Sequence, residues 1–319
     1  MQTFRSSDIF RCVLLNLPKG TNLVCTRDLL TGDKPASNSV LWKESFANHS
    51  RRATVAQWDG NHLTGLASAR ARHGPRAWEI DRLYLDSDFG EPLSNHSNSG
   101  LGQDPDLSSL ALELFEHIVR EAGGRRAERV FLRLPPGSPI FKFAQRAGFF
   151  PYFEETLLES RSAVDTSEGG PGLLEWQELL PEDDYSLFQL YCAATPQPVR
   201  TATGLTFDQW RDAQGSCGRR RDWVLKREGR VVAWVGLSKY GKATLAEVLV
   251  TPASPELWEP AMDRALHEGG THSWLVPDYQ ETLGNLLLRR QFREVAQYTV
   301  MIKKVAAAVV KPAMAAVEA

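Results

Sequence analysis

Cysteine is scarce in this 319-residue chain: Cys12, Cys25, Cys192 and Cys217 form no C-x-x-C pair, and the seven histidines form no H-x-x-x-H or H-x-x-E pairing. A disulfide framework and a metal site built at ligand spacing are thereby excluded, and the thiols read as the reduced ones of a cytoplasmic protein. Long apolar runs are missing too. Nowhere do about 18 consecutive apolar residues occur, the length a spanning helix needs. The run Cys12 to Leu15 is too short for the core of an export signal and has no small-residue cleavage site after it. Nor is one sign of charge in excess. A formal net charge of −2 gives no basic field for nucleic acid or an anionic membrane surface, so partners are expected at local sites and the chain reads as a monomer or homodimer.

What is present suits two ordinary cores: 42% of the residues are hydrophobic and 24% charged. The clearest break is SRSAVDTSEGGPG, from Ser160 to Gly172, where small polar residues replace all apolar periodicity. This predicts a first domain over 1–160, a linker over 161–172, a second domain over 173–305 and an alanine-rich tail over 306–319, broken by Lys311 and Pro312.

One order of elements recurs on both sides of that break. Strands are predicted at Ala53–Trp58, His62–Arg72 and Ala77–Leu85, the first pair joined by a turn at Asp59-Gly60-Asn61. Their counterparts are Trp223–Lys226, Arg230–Ser238 and Ala243–Val250, with Glu228-Gly229 at the turn. A helix, a strand, a second helix and a last strand follow in each half: Leu107–Ala122, Val130–Leu134, Pro139–Ala147 and Phe153–Glu159, then Glu256–Glu268, His272–Val276, Thr282–Arg290 and Ala296–Lys303. Helices also precede the hairpins, at Ala36–Ala47 in one half and at Asp184–Ala193 and Thr206–Gln214 in the other. The expected fold is α/β, two tandem domains, each a mixed and mainly antiparallel sheet with a central parallel pair covered by helices.

Several stretches carry a resemblance. They are IDRLYL at Ile80–Leu85, the helix SSLALELFEHIVREAGG, the strand RVFLRLP and FKFAQRAGFFPYFEETLLE, together with Arg289-Arg290-Gln291-Phe292 and Val248-Leu249-Val250-Thr251-Pro252 in the second half. In that order they resemble the core of the GCN5-related N-acetyltransferases, over roughly residues 10 to 305. The resemblance implies two acyl-CoA N-acyltransferase-like domains, each with a V-shaped opening between its parallel strands. Acetyl-CoA would lie in that opening as cosubstrate, with its pantetheine amides on the splayed strand and its pyrophosphate on the N–H groups of the next helix. It also implies a small-molecule or peptide amine as acceptor.

The phosphate loop of the family reads Q/R-x-x-G-x-G or -A, and this chain departs from it. In the first half Gly100-Leu101-Gly102 is the remnant, and Asp104 and Asp106 stand beside the expected phosphates, where they also serve as helix caps. In the second half Pro252-Ala253-Ser254-Pro255-Glu256 has no glycine and two residues without an N–H, so cofactor binding is expected only in the first half. The cofactor candidates are Leu83, Leu85, Gly100, Leu101, Gly102, Ser108 and Ser109. Glu79 is the candidate base, with Asp81 on the same strand face, and Tyr84 the candidate acid, with Tyr152 also nearby, since the family's usual tyrosine position falls on Ala144 and Leu287. Against these stand blander readings: a salt bridge from Glu79 to Arg70 or Arg72, packing for Tyr84, and a solvated edge for Arg219-Arg220-Arg221. Two functions follow. One is an N-acetyltransferase acting in the first domain, and the other is a non-catalytic tandem module that has lost the cofactor loop.

Overall fold

The structure, a computed structural model, describes residues 2–3, 22–27, 30, 50–60, 62–85, 105–160, 174–215, 219–240, 243–269 and 273–305. The expected linker, the tail, the helix at Ala36–Ala47 and the segment Gly100 to Gly102 lie outside them.

In the first half the strands are β1 (Gln2–Thr3), β2 (Arg52–Asp59), β3 (His62–Ala71), β4 (Ala77–Leu85), β5 (Arg129–Leu134) and β6 (Phe150–Glu159), with helices α1 (Pro105–Gly124) and α2 (Phe141–Arg146). In the second half β7 (Gln177–Glu178) is followed by helices α3 (Asp184–Ala194), α4 (Gln197–Thr203) and α5 (Phe207–Ala213). Then come β8 (Arg219–Arg227), β9 (Arg230–Tyr240), β10 (Ala243–Val250), α6 (Trp258–Gly269), β11 (Ser273–Pro277), α7 (Glu281–Arg289) and β12 (Arg293–Lys304). The hairpins correspond: Asp59 pairs with His62 around Gly60 and Arg227 with Arg230 around Gly229. Each glycine has the left-handed backbone such a tight turn needs, φ 56° and 75°.

The helices bury one stripe each. Ala111, Leu114, Phe115, Ile118 and Ala122 of α1 are fully buried at helical spacing and pack with Trp78, Ile80, Leu83 and Leu85 of β4. Ala261, Met262, Ala265 and Leu266 of α6 cover Val248, Val250 and Trp274 in the same way. Each core has the apolar content of an ordinary domain, yet the sheets are not separate. Among the described residues the strands form one mixed sheet in the order β1-β2-β3-β4-β5-β12-β6-β11-β10-β9-β8-β7.

The order shows an exchange. β12, the last strand of the chain, pairs with β5 of the first half, and β6 pairs with β11 of the second, while β6 and β12 lie antiparallel between them. Met301 of β12 therefore belongs to the first core and Leu158 of β6 to the second. The mixed, mainly antiparallel arrangement with parallel pairs covered by helices is as expected from the sequence, and the two halves share it as one sheet. Helix α4 is not among the expected helices; Pro196 and Pro198 sit at its cap and first turn, where no intrahelical N–H is needed.

Helices α4 and α5 bridge the halves. The Arg129 guanidinium donates to the carbonyl of Ala202 and to Gln209 Oε1, and Arg76 Nε donates to Asp212 Oδ2 at 2.6 Å. The turn between β3 and β4 is pressed against α5 so closely that a Cβ on Gly74 would lie 2.0 Å from Asp212 Oδ1 and 2.7 Å from its Cβ. Gly74→Ala is accordingly expected to cost about 1–3 kcal/mol, the range for forced overpacking. Urea denaturation reads this directly, and an unshifted midpoint contradicts the contact.

Candidate functional site

Each half has a parallel pair that separates after a short register. β4 and β5 pair only over Ala77–Glu79 against Arg129–Phe131, although β4 runs on to Leu85 and β5 to Leu134. A bulge at Asp81 starts the divergence, since Ser68 faces Arg82 and Ala69 faces Ile80. β10 and β11 pair only over Leu245–Ala246 against Ser273–Trp274 and then part.

The two gaps are filled differently. In the first half the chain's own segment 22–27 lies in the gap as a strand would. Asn22 Oδ1 accepts from Leu83 N–H at 2.9 Å, Asn22 Nδ2 donates to the Asp81 carbonyl at 3.0 Å, Leu23 N–H donates to the Leu83 carbonyl and Cys25 N–H to the Arg133 carbonyl. The open first-half cleft expected from the sequence is therefore closed, because the backbone groups of Leu83 that were assigned to a cofactor already have partners. In the second half, among the described residues, the side chain of Gln280, at the start of α7, crosses the gap, with Nε2 donating to the Val248 carbonyl at 3.1 Å. A strand residue sends N–H and C=O to the same side, so Val248 also directs its N–H into this gap.

The second gap opens onto a cavity of about 330 Å³ between the halves. Its walls are strands from both: Glu79, Arg133, Tyr152 and Glu155 from the first half, and Glu247, Val248, Leu249 and Leu275 from the second. Leu187, Tyr191, Val199 and Trp210 on α3 to α5 roof it. A row of rings, Tyr152 to Phe153 at 4.6 Å and Phe153 to Tyr279 at 5.7 Å between centroids, runs along it, with Phe131 behind Tyr152 at 6.3 Å.

The cavity holds a network of buried charge. Arg27, carried in by the segment that fills the first gap, meets Glu247 at 2.6 Å and Glu155 at 4.0 Å. Arg133 meets Glu155 at 2.8 Å, and Arg220 meets Asp222 at 2.9 Å and Glu247 at 3.6 Å. Arg72 meets Glu79 at 3.6 Å and lies 3.9 Å over the Phe131 ring. Burial alone would raise the Glu247 carboxyl, but Arg27 and Arg220 outweigh it and hold it below its ordinary value. Burial raises the phenols of Tyr152 and Tyr279 well above theirs, and Tyr191 to about 12. The cavity thus offers an ionised Glu247 carboxylate and protonated phenols at neutral pH.

A carboxyl with a depressed folded pKa contributes stability above its unfolded value and loses it as the pH falls through the folded one. Glu247→Gln should therefore destabilise the chain at pH 7 by about 1.5–3 kcal/mol, the scale of a charge-assisted hydrogen bond. The difference from the parent should shrink as the pH drops below 4.5, the ordinary value of that carboxyl. Denaturation at a series of pH values checks this, and a constant difference contradicts an ionised pair.

The site residues named from sequence fall apart in space. Glu79 lies in the cavity wall, paired with Arg72. Tyr84 packs in a separate apolar cluster with Leu63, Leu66 and Trp58. Leu85 and the side chain of Leu83 are in the first core, and Ser109 is exposed on α1. The backbone of Ser108 is in α1, while Gly100, Leu101 and Gly102 lie outside the described residues. Arg220 is not at a solvated edge: it is half-buried, 5.0 Å over the Trp234 ring. Sequence reasoning missed Tyr279 and Gln280, since a tyrosine was sought inside the helix rather than at the turn before it. It also missed Arg27 and Glu247, which no local pattern links.

The fit of acetyl-CoA divides along its length. The second gap and the apolar side chains Leu249, Leu275 and Leu283 suit a pantetheine arm. The start of α6 does not suit the nucleotide: Pro252 and Pro255 lack an N–H, Glu256 turns its carboxylate onto its own N–H, and Arg227 is engaged with Ser254 and Glu256.

No family model matches the sequence, and no curated protein matches it. Among solved structures the chain is similar to a GCN5-related N-acetyltransferase from Sphaerobacter thermophilus, at 13% identity and TM-score 0.49, covering 95% of this chain and 94% of that one. It is also similar to a GCN5-related N-acetyltransferase from Kribbella flavida, at 10% identity and TM-score 0.46 over 84% and 95%. A third similar structure is an acetyltransferase of that family from Colwellia psychrerythraea, at 11% and 0.42 over 95% and 99%. At such values no activity, substrate or cofactor passes from those proteins to this one.

Proposed function

We propose that the chain is an N-acyltransferase whose transfer site is the cavity between its halves, served by the gap between β10 and β11. The observation that carries this reading is the contrast between the gaps: hydrogen bonds from the Asn22 side chain and from the N–H groups of Leu23 and Cys25 close one, and among the described residues one side chain, Gln280, crosses the other. A thioester on a pantetheine arm, when bound there, supplies the activated acyl group. The chain's residues do the rest. Val248 anchors the arm through its backbone. Tyr279, next to Gln280 at the mouth of the gap, is a phenol that burial keeps protonated and so holds a proton for the leaving sulfur. Glu79, with its partner at a loose 3.6 Å, accepts the proton of the amine directly or through one water.

Because the start of α6 offers the nucleotide no cradle, acetyl-pantetheine should serve as donor about as well as acetyl-CoA, with kcat/KM within about threefold, under 1 kcal/mol at the usual conversion. Thiol release with an amine panel measures this. Transfer from neither donor would sink the reading, and a large preference for acetyl-CoA would show that the nucleotide is held after all.

The second reading, a binding module without catalysis, is favoured by one observation. Asn22 to Cys25 occupy in the first half the backbone sites that a cofactor would use. It predicts ligand binding in the cavity with no turnover from either donor.

A further inference from the structure

We infer that the cavity is built for an α-amino acid held as its zwitterion, the carboxylate on Arg72 and the ammonium on Glu79, with its side chain along the aromatic row. The inference rests on the transfer reading only in naming this ligand the acceptor; the binding itself does not depend on it.

Of the arginines that reach the cavity from outside its helices, Arg27, Arg133 and Arg220 each hold a carboxylate at 2.9 Å or closer. Arg72 does not. Its Nη1 donates to the Ala213 carbonyl at 3.1 Å, its Nε is sealed from solvent without a hydrogen-bond partner, and Glu79 stands at 3.6 Å, beyond hydrogen-bond reach. The ring of Phe131 beneath it, at 3.9 Å, fixes the plane of the guanidinium. Burial lowers the pKa of this group, with Glu79 opposing, which marks it as short of negative partners.

A planar anion answers that shortage, since a guanidinium fork takes a carboxylate bidentately. An anion alone would meet Glu79. A ligand that carries an ammonium one carbon from its carboxylate satisfies both partners, and the loose pair can part to admit it. Tyr152, Phe153 and Tyr279 lead away from this corner toward the gap, which suits an apolar or aromatic side chain. Thr195 Oγ1, buried in the cavity wall without a partner, is a further unmet polar group there. With Glu79 on the ammonium, the same carboxylate stands where the amine must lose its proton.

The test is calorimetric titration of the full chain with phenylalanine, leucine, phenethylamine and 3-phenylpropanoate. The amino acids should bind, and phenethylamine and 3-phenylpropanoate should each bind at least about tenfold more weakly than phenylalanine, the loss expected when one charge-assisted contact goes. Arg72→Lys keeps the charge beside Glu79 but loses the fork, and should weaken phenylalanine about tenfold. The double variant R72Q/E79Q leaves no unpaired buried charge and should abolish the preference for the zwitterion. Equal binding of phenylalanine and both its analogues, no heat with either amino acid, or an unchanged affinity in Arg72→Lys would overturn the inference. Phenylalanine that binds but is never acylated sinks the transferase reading and leaves this site standing. Acylation of phenethylamine that Arg72→Lys does not alter does the reverse.

Discussion

Glu155→Gln is expected to destabilise the chain by about 3–5 kcal/mol, the cost of breaking a buried ion pair from one side. Glu155 is 2% exposed and Arg133 4%, with Oε2 and Nη2 at 2.8 Å. Glu155 also stands 4.0 Å from Arg27. The exchange keeps the shape of the side chain and removes its charge, which leaves the Arg133 guanidinium in a buried site without its carboxylate. Its position magnifies the effect, because β6 pairs on one edge with β11 and on the other with β12, so strain there reaches both halves. Removing the partner as well, in Arg133→Met with Glu155→Leu, should recover most of the loss, since a packed apolar pair of similar volume is often as stable as a buried ion pair. Urea midpoints of the two variants decide the matter, and a single variant as stable as the parent would show that the pair is not desolvated.

The second large effect concerns turnover. Tyr279→Phe should lower kcat by about a hundredfold, the lower end for loss of a positioned acid, with little change in KM. The phenylalanine keeps the ring that stands 5.7 Å from Phe153, so packing and donor affinity should survive. The same exchange at Tyr84, whose ring packs in the separate cluster around Leu66, tells the halves apart. A loss of turnover at Tyr84 rather than at Tyr279 would place the chemistry in the first half.

Much of the fold was legible in the sequence for a physical reason. β4 and β10 run over the residues expected for them, short apolar stretches bounded by turn residues, and α1, whose apolar positions recur at helical spacing, differs only at its ends. The exchange of β6 and β12 was not legible. Either strand satisfies the same alternation beside its own half or beside the other, so nothing local distinguishes them. The site was harder still. Glu79 could be named from its strand position, whereas Arg27 and Glu247 lie 220 residues apart in sequence and touch only because the 22–27 segment enters the first gap. The spacing that placed the family's tyrosine inside the second helix of each half also hid Tyr279, which precedes α7.

The central claim is that the thioester arm enters between β10 and β11. A crystal structure with S-ethyl pantetheine, an arm without nucleotide or reactive acyl group, tests it directly. The arm should lie along Val248, with Gln280 swung away from the Val248 carbonyl and Asn22 still on Leu83. An arm lying between β4 and β5 with the 22–27 segment displaced, or no arm in either gap, would contradict it.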